Sequence, residues 1–255
     1  MKLIIDTESQ ILTVTEGDCR QVFPLYAREA FEIISRQWLR VGWSLNYYLT
    51  FTWLGRPVVQ IPEDLVRLQE VICQIRPDFI VETGVYKGGS LLFHASLCEV
   101  LGKGHVVGID IHIDALLRED LLRHPLGARI SLVEGNSSSS AVFAEVAGLI
   151  PPGAVTLVLL DSSHRRDHVR AELELYSALV TSGSYIAVAD GLMRDLTDVP
   201  GGQLDWSTDN PLAAIEDFLE KHAEFERVTP PRLFCQSDLR ENITHWPEGW
   251  LRRKS

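Results

Sequence analysis

The chain has few cysteines, few methionines and fewer basic than acidic residues. Its 255 residues include four Cys and two Met, and 24 Lys and Arg stand against 35 Asp and Glu, a net charge of −11. This charge disfavours a nucleic-acid partner and an anionic membrane surface. The cysteines form no CxxC pair, so neither a zinc knuckle nor a redox motif is indicated, and we expect a reducing compartment, the cytoplasm. They are Cys19, Cys73, Cys98 and Cys235.

Long apolar runs are also missing, and we expect no signal peptide. The first ten residues, MKLIIDTESQ, hold one lysine and three apolar residues before Asp6, which is not typical of a signal peptide. The aromatic-rich stretch at 41–55, VGWSLNYYLTFTWLG, is interrupted by Ser, Asn and Thr and is too short to span a bilayer. We therefore expect a globular protein that does not cross a membrane.

Strand and helix patterns alternate from Phe79 onward. The predicted strands are continuous apolar runs, as expected when both faces of a sheet are covered. Alternation of this kind predicts an α/β fold with a doubly wound, Rossmann-like, mostly parallel sheet. The predicted strands are 79–83, 105–110, 128–135, 154–161 and 183–190, and the helices between them are 91–102, 114–123, 138–149 and 168–180.

Two regions flank this alternation. Residues 1–77 are rich in aromatics, and we expect a helical extension there, with 61–75 as its clearest helix. This extension is expected to serve packing, oligomerisation or the pocket for a substrate. Residues 78–255 form the main domain. Within it, 191–208 contains Pro-Gly-Gly and is predicted to be a loop or lid, and 210–222 is predicted to be a helix with Pro near its start.

Each of the five predicted strands ends in an acidic residue. Ligands of open parallel sheets bind beyond the carboxyl ends of the strands, so this edge is the expected site. Chance or solubility explains one or two such residues more easily than five. They are Glu82, Asp110, Glu134, Asp161 and Asp190.

The segment VETGVYKGGS at 81–90 reads as a strand, a glycine turn and a helix start. Its glycines are not spaced as GxGxxG, which argues against a dinucleotide pyrophosphate. Glu82 suits an ammonium group, and Asp110 suits two ribose hydroxyls. Together they favour S-adenosylmethionine over NAD, although an ordinary tight turn explains the glycines alone equally well. Asn136, Ser137 and Ser138 are weaker candidates for adenosine contacts, or simply a polar loop and helix cap.

The segment LVLLDSSHRRDH at 157–168 and the next strand end supply the chemistry. Asp161 and Asp190 on neighbouring strand ends can share a divalent cation such as Mg²⁺. A metal there lowers the pKa of an acceptor hydroxyl, and His164 can take its proton. The alternative is that Asp161 or the serines after it merely cap the following helix. His168 is given no role.

These segments resemble a known family, the class I S-adenosylmethionine-dependent methyltransferases of the cephalosporin hydroxylase/rhamnosyl O-methyltransferase type. The similarity covers about residues 40 to 253 and is specific because several matching stretches are long. They are YYLTFTWLGRPVVQIPEDLVRLQEVICQIRPDFIVETG (47–84), GKGHVVGIDI (102–111), LVLLDSSH (157–164), ELELYSALVTSGSYIAVAD (172–190), NPLAAIEDFLEKH (210–222) and WPEGWLRR (246–253).

The resemblance implies roles for individual residues. It implies Glu82, Gly84, Ser90 and Asp110 at the cofactor, and Tyr86, Gly88 and Asp161 are further candidates for cofactor binding. Asp161 and Asp190 are implied as metal ligands and His164 as the base. Relatives usually carry an acidic residue just before the last Asp, where this chain has Ala189, so a water or Asp195 is a candidate replacement ligand.

The expected function is metal-assisted O-methylation of a small-molecule hydroxyl, most simply on a sugar of a natural product or glycan. Alternatives are an S-adenosylmethionine-binding accessory protein with an impaired metal site, and an N- or carboxyl-methyltransferase. Iron-dependent oxygen chemistry is disfavoured because no two-His-one-carboxylate set is evident. A homo-oligomer is plausible. Trp43, Tyr47, Tyr48 and Trp53 are expected either to pack or, less readily, to shape the acceptor pocket.

Overall fold

A computed structural model describes residues 1–255, with twelve strands and seven α-helices. The strands are β1 (Lys2–Asp6), β2 (Ile11–Glu16), β3 (Cys19–Pro24), β4 (Phe51–Trp53), β5 (Arg56–Val58), β6 (Phe79–Thr83), β7 (His105–Asp110), β8 (Ile130–Glu134), β9 (Thr156–Leu160), β10 (Tyr185–Val188), β11 (Phe225–Arg227) and β12 (Trp250–Arg253). The helices are α1 (Arg28–Ser44), α2 (Pro62–Ile75), α3 (Gly89–Leu101), α4 (Ala115–Arg123), α5 (Ser140–Leu149), α6 (Arg166–Tyr176) and α7 (Pro211–Leu219).

The central sheet has seven strands in the order β11-β12-β10-β9-β6-β7-β8. The five predicted strands, β6 to β10, lie side by side and parallel, which confirms the α/β prediction. β12 runs antiparallel between β10 and β11. The chain order reverses beside β6, which lies between β7 and β9, so the crevice for a ligand is expected where these strands end.

Apolar side chains cover both faces of the sheet. Helices α2 and α3 contribute to one hydrophobic cluster, and α6 and α7 contribute to the other. All five residues of β9 are buried, as its uninterrupted apolar sequence predicts. This buried strand holds Asp161 in a fixed place at its carboxyl end.

The N-terminal extension differs from the prediction. α1 and α2 are helices, but residues 2–24 form a three-stranded antiparallel sheet, so the helical expectation is wrong there. The sequence of β2, ILTVTE, is rich in β-branched residues, and Gly17 provides the positive φ of +56° in the turn to β3. Leu12 and Val14 of β2 are buried in a small cluster with Ala30 of α1.

Two further segments frame the edge of the central sheet. The β4–β5 hairpin packs against the start of α3 so closely that a Cβ on Gly89 would lie 2.1 Å from the carbonyl oxygen of Pro57. Residues 191–208 contain two short 3-10 helices and share a hydrophobic cluster with α1. None of the helices has the length and apolar character needed to cross a bilayer.

Candidate active site

The turn after β6 fits tightly against the loop after β9. Gly84 has φ +95°, and a Cβ there would lie 2.0 Å from the backbone oxygen of Asp161. Glycine is therefore required by the contact between two loops of the protein and by the positive φ. The same packing brings the glycine turn beside the strand end that carries Asp161.

Asp110 shapes this turn as well as being a candidate ribose ligand. Its Oδ2 accepts hydrogen bonds from the backbone N–H groups of Val85, at 2.9 Å, and Tyr86, at 3.0 Å. Its Oδ1 accepts one longer bond, 3.3 Å, from the N–H of His112. The carboxylate thus holds Tyr86 in the left-handed region, at φ 45°, and keeps capacity at its second oxygen for a ligand hydroxyl.

Glu82 is fully buried, and neither of its carboxylate oxygens has a hydrogen-bond partner in the protein. The nearest cationic candidate is the Nε2 atom of His94, 3.7 Å away and itself without a hydrogen bond. A buried carboxylate without donors is costly, so the position suits a ligand that brings N–H groups. The role of Glu82 toward an ammonium group stays a prediction.

Asp161, His164 and Asp190 form a compact cluster. One ligand atom from each lies within 4.8 Å of the others, and His164 Nε2 is 3.3 Å from Asp190 Oδ2. The parallel pairing of β9 with β10 places the two aspartates on neighbouring strand ends, as the sequence predicts. Oxygen ligands with an imidazole beside them are a suitable donor set for a divalent cation.

Negative charge is concentrated at this cluster. Burial raises the pKa of Asp161 well above its usual range, and the carboxylates of Asp190 and Glu82 raise it further. The side-chain amide of Gln60 opposes this shift by donating a hydrogen bond. A bound cation relieves such crowding, so the electrostatics agree with the geometry.

The helix-cap alternative for these residues is not what the structure shows. α6 begins after Arg165, and no side chain caps it at that position. The N–H of Arg166 instead donates to Asp209 Oδ1, at 2.6 Å. Asp161 and the two serines after it are therefore free of a capping role.

Neither Ala189 nor Asp195 is placed to bind a metal. Ala189 is fully buried and belongs to the hydrophobic cluster that contains Trp246 and Trp250. The Asp195 side chain is 63% exposed and lies 3.9 Å from Arg194, outside the cluster. The structure therefore offers His164, rather than Asp195, as the third group with ligand capacity.

A cavity of about 300 Å³ opens at this point. The predicted residues that line it are Gly84, Tyr86, Ser90, Asp161, His164 and Asp190. Those that do not line it are Glu82, Gly88, Asp110, Asn136, Ser137 and Ser138. A larger groove, about 1060 Å³, lies between α2 and residues 228–250 and contains none of the predicted residues. The smaller cavity is therefore the candidate active site.

The loop after β8 has a clear structural role. Asn136 Oδ1 accepts hydrogen bonds from the N–H and Oγ of Ser138, and Ser139 caps α5. Ser137 is buried, with its Oγ 3.1 Å from His168 Nε2. The polar-loop alternative thus describes the contacts seen, and adenosine binding by this loop stays a prediction.

His168, for which the sequence indicates no role, belongs to a polar network. Its Nε2 lies 3.2 Å from Ser162 Oγ and 3.3 Å from the fully buried Glu172. Hydrogen bonding to Glu172 raises its pKa. Together with the contact to Ser137, this network ties the loops after β8 and β9 to α6. The i, i+4 spacing of His168 and Glu172 on a helix was the available sequence signal.

The aromatic residues of the extension pack against one another. Trp43 contacts Tyr48, Trp206 and His245 at ring distances of 5.1 to 6.2 Å. Trp53 packs edge-on against Phe93 of α3, and Tyr47 against Phe51. None of these four predicted aromatics lines the cavity, so packing is the role that the structure shows.

The seven-stranded sheet with one antiparallel strand, the glycine turn and the acidic strand ends together define a class I methyltransferase. The chain belongs to the family described as rhamnosyl O-methyltransferase/CmcI, whose model matches residues 45–254. Both the fold and the family agree with the resemblance found in the sequence.

Curated relatives carry the name rhamnosyl O-methyltransferase. The protein from Mycobacterium leprae is 31% identical over 144 residues, 55% of this chain and 60% of its own length. The protein from Mycobacterium tuberculosis is 27% identical over 207 residues, 79% of this chain and 78% of its own length. A CmcI structure described as containing Mg and SAM is 19% identical, with a TM-score of 0.53 over 81% of this chain and 78% of the other. An apo structure of CmcI is 21% identical, covering 81% of this chain and 77% of the other, with a TM-score of 0.52. These structural similarities support the fold.

Proposed function

We propose that this protein is a metal-assisted O-methyltransferase that uses S-adenosylmethionine as donor and a sugar hydroxyl of a small molecule or glycan as acceptor. The cluster of Asp161, His164 and Asp190 at the sheet edge is the observation that carries the proposal. It combines two carboxylates for a divalent cation with a neighbouring imidazole, beside the turn expected to bind the donor.

The donor site is assigned to the glycine turn and its surroundings. Both buried carboxylate oxygens of Glu82 lack a hydrogen-bond partner in the protein. We assign them to the ammonium group at the methionine end of S-adenosylmethionine, which has N–H bonds to donate. Asp110 Oδ1 is assigned to a ribose hydroxyl. Gly84 and Ser90 line the cavity, and we assign the backbone of the turn to the border of the donor site. Asn136 and Ser138 are assigned to the adenosine end.

Asp161 and Asp190 are assigned to a divalent cation such as Mg²⁺, with His164 as the base. When bound, the cation supplies Lewis acidity that makes an acceptor hydroxyl easier to deprotonate. In the transfer, the acceptor oxygen forms a bond to the methyl carbon while the carbon–sulfur bond breaks and its electron pair remains on sulfur. The hydroxyl proton passes to the unprotonated ring nitrogen of His164, while the Nε2 side of the ring, 3.3 Å from Asp190 Oδ2, is oriented by that carboxylate. Catalysis then rests mainly on positioning.

The sugar acceptor is inferred from the relatives named rhamnosyl O-methyltransferase. Mass spectrometry tests it directly. The purified protein with S-adenosylmethionine and Mg²⁺ is incubated with rhamnosides, other glycosides, phenols, carboxylic acids and amines. We expect a product heavier by CH₂ from the glycosides alone, lost with EDTA and restored by Mg²⁺. Methylation of another class overturns the sugar assignment, and donor binding without any turnover favours an accessory protein.

The location and assembly of the protein are part of the same proposal. We assign it to the cytoplasm because its four cysteines are all unpaired.

We propose that the protein forms a homo-oligomer through residues 1–77, where Ile4, Ile5 and Leu45 are exposed apolar side chains. Residues 191–208 are assigned to a lid over the acceptor. Sedimentation velocity on the full chain tests the assembly, and a monomer at all concentrations contradicts it.

A further inference from the structure

Gln60 is a buried polar residue that the sequence offered no reason to select. It lies between β5 and α2 and is 4% exposed. Its Nε2 donates a hydrogen bond to Asp161 Oδ2 at 3.2 Å, across 101 positions of the chain. The amide therefore fixes one oxygen of the carboxylate that is central to the site.

The other end of the Gln60 amide has no partner in the protein. Its Oε1 is buried, and no protein donor lies within hydrogen-bonding distance. The residue lines the same cavity as Gly84, Ser90 and Asp161. Leaving a buried carbonyl oxygen unpaired is unfavourable, so an acceptor in this position points to a ligand that donates a hydrogen bond.

The surrounding charge indicates which kind of hydrogen-bond donor Oε1 of Gln60 would accept from. The carboxylates of Asp190 and Glu82 both act electrostatically on Asp161, the hydrogen-bond partner of Gln60. This negative environment favours a cationic group with several N–H bonds over a neutral hydroxyl. The α-ammonium group at the methionine end of S-adenosylmethionine has three N–H bonds.

On the basis of the proposed function, we propose that Gln60 recognises the amino group of the methyl donor: Nε2 holds Asp161 while Oε1 accepts an N–H from the α-ammonium. Gln60 is then a specificity-determining residue for the amino-acid end of the donor. Its contribution depends on the presence of that one group in the ligand.

The test compares two ligands that differ only in the amino group. Calorimetry measures binding of S-adenosylhomocysteine and of its analogue with hydrogen in place of the α-amino group, to the wild type and to Gln60→Met. We expect the substitution to weaken S-adenosylhomocysteine about 10- to 100-fold, the range for a hydrogen bond to a charged group, and to leave the analogue unchanged. Gln69→Met is the matched control, since Gln69 contacts Cys73 within α2.

Equal weakening of both ligands, or no weakening of either, overturns the proposal. Gln60→Asn keeps the amide on a shorter side chain and serves as the second variant, with the same selective loss expected if Gln60→Met does not fold. If the wild type binds neither ligand, the proposed function itself fails. Wild-type binding of S-adenosylhomocysteine with no selective effect at Gln60 overturns only this inference.

Discussion

His164 Nε2 lies 3.3 Å from Oδ2 of Asp190, a residue whose backbone is in the left-handed region at φ 58° and ψ 27°. A non-glycine residue in this region is uncommon and carries strain. The strain is found at the residue that joins the cluster from β10. The carboxylate of this residue lies beside His164 and Asp161.

Replacement of His164 by Ala distinguishes whether this residue acts as a base or as a metal ligand. If His164 is the base, we expect kcat to fall by about 10² to 10⁴. Binding of Mn²⁺, measured by electron paramagnetic resonance, is expected to stay at the wild-type level. Loss of Mn²⁺ binding in this variant would identify the imidazole as a ligand instead. His222→Ala is the control, since His222 pairs with Glu174 and Glu224 and lines no part of the cavity.

Asp190→Asn is expected to retain the fold and lose the metal. Asn tolerates the left-handed region, so the melting temperature should stay near that of the wild type. Removing one of two carboxylates should weaken Mn²⁺ at least about tenfold, since loss of even an outer-shell partner has that effect. Asp190→Ala also loses the metal, but the left-handed backbone should additionally lower its stability. Equal Mn²⁺ affinity in wild type and Asp190→Asn rejects the metal assignment.

Gly84→Ala should be strongly destabilising, because the new Cβ would lie 2.0 Å from a backbone oxygen of Asp161. Gly183→Ala is the matched control: it shares a positive φ, +80°, but has open space around the Cβ position. We expect the control to lose about 1–2 kcal/mol of unfolding free energy. The Gly84 variant should lose at least about 1–3 kcal/mol more through the clash, or fail to fold. Urea denaturation measures both, and equal losses contradict the close packing of the two loops.

Asp64 should make stability depend on pH. Burial raises its pKa to about 7, although hydrogen bonds from Thr244 and from the N–H of His245 oppose the shift. The folded state therefore keeps a proton that the unfolded chain, with a pKa near 3.9, has released. The contribution of this proton to the free energy of unfolding is full below about pH 4 and is lost as the pH rises to about 7.

Thermal unfolding of wild type and Asp64→Asn checks this dependence. The variant has no titrating carboxyl at this position, so the melting temperature of the wild type relative to the variant should be higher at pH 5 than at pH 8. A difference that stays constant across this range shows that Asp64 does not titrate in the folded protein.

Most of the central sheet could be predicted because its strands are buried on both faces. Their continuous apolar runs set the strand positions, and the acidic residues after them marked the working edge. The N-terminal strands were not predicted because aromatic residues are compatible with both helix and strand, and only the short β-branched run of β2 indicates a sheet there. Glu134 was predicted at the same edge, yet it accepts the N–H of Ile113 and contacts Arg118 away from the cluster.

The sequence by itself determined the alternation of strands and helices from Phe79 to Asp190, the family and the candidate site residues, because these depend on local patterns and residue types. The tertiary structure alone decided which side chains meet. Parallel pairing of β9 and β10 joined Asp161 to Asp190, and the packing of Gly84 against Asp161 closed the turn onto the site. Gln60 reached Asp161 only because α2 packs on the sheet. Contacts across such separations depend on the packed core, which no local pattern specifies.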